Sequence, residues 1–331
     1  MSYYLGTLDY SDPLYEVLFS RIFSDMKDPI FHVTRMSHHR VFKYTEEKSC
    51  LAIVGKFFRL DDPKQERVSR IKGEYDNLQR IREYGFDRYP HYVVRPLSRE
   101  ESIGLALIEE FICGKDLDYY LKKAVCGDKE SLKKRLSRLA SFLCALHTRT
   151  EAAKTVDLEP ICFYFQKIVD RLNKQGVISG SSKRDYLKLM GQWLQRPSLQ
   201  NAKDVIVHGD ATPTNFIFTE RDDVVAIDLE RIKNADAVYD IGMVCGEVKH
   251  AFLWRTGDLY KSEPFLRYFL KWYASHFPDP EKAFREITGR NPFYMALTEL
   301  RIARNDYLDW NYRRRLAYEA MECLRWGLKR P

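Results

Sequence analysis

Val205-Ile206-Val207-His208-Gly209-Asp210-Ala211-Thr212-Pro213-Thr214-Asn215-Phe216-Ile217-Phe218 is the stretch on which the reading of this chain turns. An apolar run delivers His208-Gly209-Asp210, four residues follow, and Asn215 opens a second apolar run. Further on, Val224-Val225-Ala226-Ile227-Asp228-Leu229-Glu230 is another apolar segment ending in a carboxylate. Two acids and one amide, each at the tip of an apolar segment, match the needs of metal-assisted phosphoryl transfer. One carboxylate orients and deprotonates an attacking hydroxyl, and amide and carboxylate oxygens hold Mg²⁺ against the donor phosphates. A short loop between strands lets Asp210 and Asn215 point into one cleft, and a hairpin brings Asp228 to the same edge. Taken singly, an Asp after a strand is more often a turn residue or helix cap than a catalyst. The combination, in this order and with these flanks, carries the signal.

Composition bounds the rest. The 331 residues suffice for one large domain or two lobes, and 45% hydrophobic with 31% charged residues describes a globular chain of mean hydropathy −0.45. Met1-Ser2-Tyr3-Tyr4-Leu5-Gly6 lacks the basic and apolar regions of a signal peptide, and no apolar run reaches the length of a membrane span. Seven scattered cysteines with no Cys-x-x-Cys pair predict reduced thiols and a cytoplasmic setting. The net charge of +7 owes much to the last forty residues, where Arg301, Arg304, Arg313, Arg314, Arg315, Arg325, Lys329 and Arg330 interleave with Tyr307, Trp310, Tyr312, Tyr318 and Trp326. Because Asp306, Asp309, Glu319 and Glu322 are mixed in, the expectation is a solvated helix face with an aromatic inner side, and no nucleic-acid partner. A basic chain also advertises no acidic cleft for a polycation such as an aminoglycoside.

His208-Gly-Asp210-x4-Asn215 followed by Ile227-Asp228-x-Glu230 resembles the catalytic loop and metal motif of the aminoglycoside phosphotransferase and choline kinase superfamily, over roughly residues 30–330. The resemblance implies an α+β, bilobal protein-kinase-like fold. Its N-lobe is a small antiparallel sheet with one helix (1–108), its hinge spans 109–114, and its mostly helical C-lobe (115–331) carries the catalytic loop, metal site and acceptor pocket. It implies Asp210 as catalytic base, Asn215 and Asp228 as Mg²⁺ ligands, ATP or GTP as co-substrate, and His208 as a loop organiser.

The same resemblance gives roles to residues nearer the N-terminus. Cys50–Arg59 reads as an apolar strand with one Lys in its middle, and a lysine there is costly unless paired. The kinase pattern has that Lys56 reach the donor phosphates, fixed by Glu74 from a helix spanning about 64–83, whose apolar face is Val68, Ile71, Tyr75, Leu78 and Ile81. Leu105–Gly114 resembles the hinge, so Glu110, Phe111 and Ile112 are expected to meet the purine through their backbone. The turn Ser37-His38-His39-Arg40 stands where the family has a glycine-rich phosphate lid, and it has no Gly. Asp240 matches a family Asp that tethers the catalytic loop, and His147 ends an amphipathic helix over 131–149 in a structural role. Helices are also expected at 159–174, 182–195, 243–254, 263–276, 280–288, 292–308 and 312–327.

The leading functional expectation is a Mg²⁺-dependent kinase of a small sugar, aminoglycoside-like or amino-alcohol acceptor. Two alternatives compete with it. One is a kinase of a glycan, lipopolysaccharide-core or protein acceptor. The other is a nucleotide-binding scaffold without turnover, which the Gly-free lid favours and the intact Lys56, Asp210, Asn215 and Asp228 oppose. A metal hydrolase has no second His at ligand spacing to support it.

Overall fold

A computed structural model describes residues 2–36, 40–59, 62 and 64–329. The chain forms two compact units, residues 1–114 with 225–231, and residues 115–224 with 232–331. The segment carrying Asp228, placed with the C-lobe in the sequence reading, therefore groups with the first unit. Of the lid turn, Ser37, His38 and His39 lie outside the described residues.

The first unit is built on a six-stranded antiparallel sheet. Its strands are β1 (Tyr3–Thr7), β2 (Phe31–Arg35), β3 (Val41–Glu46), β4 (Ala52–Phe57), β7 (Pro96–Glu100) and β8 (Leu105–Glu110), in the order β1-β2-β3-β4-β8-β7. A short hairpin of β5 (Asp87–Arg88) and β6 (His91–Val93) precedes β7. Strands β6 and β7 part at Val94 and Arg95, ahead of Pro96, which cannot donate to a ladder. Alternating burial along β2 sends Phe31 and Val33 into a core with Leu18, Phe23, Tyr44 and Ile53. Helix α1 (Pro13–Arg21), capped by Asp12, covers that core, and β1 supplies an edge strand not expected from the sequence. Helix α2 (Gln65–Ile81) buries Glu74, Leu78 and Ile81.

The second unit is mostly helical. Short β9 (Lys115–Asp116) leads into α3 (Leu117–Val125), α4 (Lys129–Arg149), α5 (Glu159–Lys174), α6 (Gly180–Leu194) and α7 (Pro197–Gln200). Strands β10 (Asp204–Val207), β11 (Phe216–Phe218), β12 (Val224–Ala226) and β13 (Lys233–Asp236) follow. β10 pairs with β13, β11 pairs with β9, and β12 carries the chain back to the first unit. Helices α8 (Val238–Thr256), α9 (Glu263–Ala274), α10 (Pro280–Ala303) and α11 (Trp310–Leu328) complete it.

Two features of this bundle position the site. Helices α8 and α10 touch at Gly242 and Gly246, where an added Cβ would stand 2.4 Å from Tyr294 Cβ and 2.8 Å from Thr298 Cβ. Only glycine allows this approach, which brings neighbouring side chains of the two helices into contact. Helix α10 also runs unbroken through Pro292, where the sequence reading had placed a break. Proline costs about 3 kcal/mol inside a helix, but Phe293, Ala296, Leu297 and Leu300 are buried around it. Burying that many apolar side chains, worth about 1.5–3 kcal/mol each for the larger ones, outweighs the lost hydrogen bond.

Candidate active site

In the first unit, Lys56 meets three carboxylates. Its Nζ lies 2.6 Å from Glu74 Oε1, 3.5 Å from Glu109 Oε1 and 3.8 Å from Asp228 Oδ1. The sheet register explains the convergence: Lys56 lies opposite Leu107 and Val54 opposite Glu109, so Lys56 and Glu109 share a face. Helix α2 points Glu74 at that face, and it is 1% exposed. Asp228 arrives because Val225–Arg231 is tied down by Val94 N donating to Ala226 O at 3.1 Å and Asn77 Nδ2 to Leu229 O at 3.0 Å. The Asp228 backbone has φ 62°, a left-handed conformation that Asp tolerates better than most residues and that sets its carboxylate direction.

The cluster has an electrostatic surplus. Burial disfavours the Lys56 ammonium, but Glu109, Glu74 and Asp228 outweigh it and hold the lysine above its ordinary range. Burial pushes Glu74 up to about 8 against the pull of Lys56, with Asp228 and Glu109 adding to the rise, and burial likewise raises Glu109. One ammonium faces three carboxylates, and in this burial Glu74 and Glu109 hold their protons more tightly than exposed carboxyls do. Glu109 was missed in the sequence. It reads there as the polar end of an apolar strand, and only the register reveals that it faces Lys56. Its Oε2 has no hydrogen-bond partner among the described residues.

The hinge segment is partly engaged. Glu110 N donates to Arg95 O at 3.1 Å and Phe111 N to Ala52 O at 3.2 Å. Tyr92 OH and Arg95 N both donate to Glu110 Oε1, at 2.5 and 2.7 Å. The Phe111 ring carries Lys43 Nζ 4.1 Å from its centre. Of the three N–H groups expected to meet a purine, two are therefore spent on the sheet, and only that of Ile112 has no partner among the described residues.

In the second unit, the loop after β10 is organised by Asp240. Its Oδ2 accepts from His208 N at 2.7 Å and its Oδ1 from Gly209 N at 3.0 Å, while Gly209 takes φ 76° to make the turn. His147 bridges Asp240 Oδ2 at 3.2 Å and Tyr273 OH at 2.8 Å. The tether and the structural His147 were both legible in the sequence. Asp240 is fully buried, so Asp240→Ala would strand two backbone donors and an imidazole. The expected loss is about 3–5 kcal/mol, read as a melting temperature lower by on the order of 10 °C. An unchanged melting temperature would contradict the tether. Asn215, on a turn over Pro213–Asn215, donates from Nδ2 to Asp210 O at 2.9 Å. That leaves its amide oxygen as a ligand group. An amide oxygen is the kind of hard donor that suits Mg²⁺, and in the first unit the Asp228 carboxylate beside Lys56 is a donor of the same class.

Asp210 has a partner that the sequence reading did not assign. Arg301 Nη1 lies 2.8 Å from Asp210 Oδ1, and its Nη2 lies 3.5 Å from Glu247 Oε1. Arg301 comes from α10, about one turn past Thr298, and Glu247 from α8, the residue after Gly246, so the glycine contact that joins the helices brings the two together. Arg314, Arg315, Arg325 and Lys329 do form the expected solvated basic face, but Arg301 and Arg313 leave it, and the aromatic inner side is not found among the described residues. Arg301 is 14% exposed and Arg313 is buried, donating to Ala303 O at 2.7 Å, whereas Tyr307, Trp310, Tyr318 and Trp326 are exposed. Long-range helix packing, invisible in the local pattern, turned Arg301 and Arg313 inward.

Burial pushes the Glu247 carboxyl up to about 7, with Arg301 opposing and Asp210 and Asp118 adding. The folded state thus keeps a proton that the unfolded chain releases above about 4.5. Raising the pH through that window costs stability. Glu247→Gln is expected to flatten the fall in melting temperature between pH 5 and 8. A variant whose melting temperature tracks the parent across that range would contradict the assignment.

A cavity of about 360 Å³ opens in the same unit. Thr212 and Thr214 of the Asp210 loop, Glu247, His250 and Trp254 of α8, and Asp118 of α3 line it. Among the described residues, no helix is long and apolar enough to cross a membrane.

The geometry can now be set beside known proteins. The sequence model of the phosphotransferase enzyme family (APH) matches residues 37–283. No significant match was found among curated protein sequences. Among solved structures, Plasmodium vivax ethanolamine kinase aligns over 95% of this chain and 89% of its own, at 14% identity and a TM-score of 0.63. Choline kinase LicA from Streptococcus pneumoniae aligns over 94% of this chain and 99% of its own, at 16% identity and a TM-score of 0.56. The streptomycin-ATP-APH(2")-IIa ternary complex aligns over 96% of this chain and 97% of its own, at 14% identity and a TM-score of 0.54. The fold is the α+β, protein-kinase-like fold of these structures. With the family match covering most of its length, the chain belongs to the phosphotransferase enzyme family and is an enzyme that transfers a phosphoryl group to a hydroxyl acceptor.

Proposed function

We propose that the enzyme is a small-molecule kinase that moves the γ-phosphoryl group of ATP or GTP to an acceptor hydroxyl, with Asp210 as base and Mg²⁺ held by Asn215 and Asp228. The observation that carries the reading is the pairing of two sets of groups in one chain. One is a buried Lys56 fixed by Glu74 at 2.6 Å with Asp228 beside it, and the other is Asp210 on a tethered loop next to a cavity. Two of the similar structures are named as ethanolamine and choline kinases, and a third holds ATP with streptomycin, which supports a nucleotide donor and a small acceptor.

In this reading the Asp210 carboxylate accepts a hydrogen bond from the acceptor hydroxyl. The hydroxyl oxygen forms the new bond to phosphorus, the bond to the bridging oxygen of the nucleotide breaks, and the nucleoside diphosphate leaves. The hydroxyl proton passes to Asp210. Arg301 holds Asp210 in one rotamer, and Asp240 fixes the loop that presents it. Lys56 meets the donor phosphates, oriented by Glu74. Bound Mg²⁺ would supply charge neutralisation on the phosphates. Calorimetry with ATP and GTP, with and without Mg²⁺, tests the reading. Mg²⁺-dependent binding of either nucleotide is expected, and binding of neither would remove its basis. Nucleotide binding with no transfer to any alcohol would favour the scaffold alternative.

A further inference from the structure

The cavity beside Asp210 is unusual in how its charges are already spent. Asp118 lies 2.5 Å from Arg255 Nη2 through one carboxylate oxygen and 2.7 Å from Lys122 Nζ through the other. Glu247 faces Arg301 at 3.5 Å. His250 is kept neutral by burial, which pushes it down to about 4 with Arg255 adding, and its Nδ1 lies 2.8 Å from Tyr312 OH. Asp118 therefore has cations of its own, while Glu247 shares Arg301 with Asp210 and is pushed by burial toward its neutral form. An amine cation entering here would lose its water and meet one doubly paired carboxylate and one that burial drives toward its neutral form, a costly exchange.

The remaining wall is aromatic and open. Trp254 is 53% exposed and Tyr307 80%. Trp254 is not loose: its ring packs edge-on against Tyr312 with centroids 4.9 Å apart, and His250 stands behind it. A fixed indole plane left in water is a surface that gains by being covered. Beside it, the Asp118–Arg255 pair offers planar acceptors and donors in fixed directions. The Glu247 carboxyl, partly protonated near neutral pH, both donates and accepts. Two threonine hydroxyls, Thr212 and Thr214, complete a lining suited to hydroxyl groups. The volume of about 360 Å³ is at the lower end of ligand cavities, large enough for one or two sugar rings.

We propose that the acceptor is an uncharged sugar, its C–H face laid on Trp254 and its hydroxyls read by Asp118, Arg255 and Glu247, and that amine cations are excluded from this site. The inference rests on the kinase reading for its chemistry, because the hydroxyl to be phosphorylated must reach Asp210, which Arg301 links to Glu247. Trp254 and Tyr307 would also suit a cation by ring attraction; the Arg255 guanidinium and Lys122 ammonium already on Asp118, and the burial of Glu247, decide against it.

The test uses the full-length protein and matched probes. Calorimetry and saturation-transfer NMR at pH 7 compare D-glucose, D-fructose, D-ribose and myo-inositol with D-glucosamine, ethanolamine and choline. At least one neutral polyol is expected to bind, and each amine at least about tenfold more weakly than the best polyol. Trp254→Ala, checked for an unchanged melting temperature, should weaken the polyol by about tenfold or more. An amine binding more tightly than every polyol, no polyol binding at all, or polyol binding indifferent to Trp254→Ala would each overturn the proposal. Polyol binding with no phosphoryl transfer would leave the acceptor inference standing and sink the kinase reading, so the two fail separately.

Discussion

Asp210→Asn is expected to lower turnover by roughly 10²–10⁴-fold, the usual scale for loss of a general base, while sparing Mg²⁺-dependent nucleotide binding. The substitution is nearly isosteric, and the loop keeps its Asp240 tether through His208 N and Gly209 N. The Asn215 contact also survives, because it is made to the Asp210 backbone oxygen. What goes is the negative charge that accepts the hydroxyl proton, together with the ion pair to Arg301. Steady-state kinetics on the identified acceptor, with nucleotide calorimetry in parallel, separates the two effects. Near-normal turnover in the variant would remove Asp210 from its role.

Asp228→Asn is expected to have the opposite signature. Asparagine also tolerates the left-handed backbone at φ 62°, so the substitution removes charge without adding strain. The Mg²⁺-dependent gain in nucleotide affinity should fall by on the order of 10²-fold, since the hard cation loses its one anionic protein ligand. The Lys56–Glu74 contact at 2.6 Å should persist, because Glu109 still faces the lysine. Affinity without Mg²⁺ should therefore change little. Equal loss of binding with and without Mg²⁺ would mean that Asp228 acts on the fold of the cluster and not on the cation.

The parts of the site that were legible in the sequence are those whose chemistry conflicts with their local pattern. Lys56 stands out as a charge inside an apolar strand, and Asp210 and Asp228 as acids at the tips of apolar runs. Glu74 was one of several charges on its helix, and the observed ion pair with Lys56 singles it out. The residues that were missed conflict with nothing nearby. Glu109 looks like the end of a strand until the register of β4 against β8 is known. Arg301 and Glu247 are 54 residues apart and meet only because Gly242 and Gly246 let two helices close. Arg301 and Arg313 turn inward and Trp310 and Trp326 stay in water, against the expected aromatic inner side, while Arg314, Arg315 and Arg325 face solvent as expected. The helix through Pro292 was misread for a related reason, since a local rule about proline yielded to burial of the residues around it.

The central claim is that this chain moves a phosphoryl group from a nucleotide to an alcohol. The most direct test is ³¹P NMR of the wild-type protein with Mg²⁺, ATP or GTP and a pooled set of sugars and amino alcohols, alongside Asp210→Asn under the same conditions. The account predicts a new phosphomonoester resonance that grows with nucleoside diphosphate in the wild type and is all but absent in the variant. A phosphomonoester that forms equally in both, or nucleotide that binds and is never consumed, would contradict it.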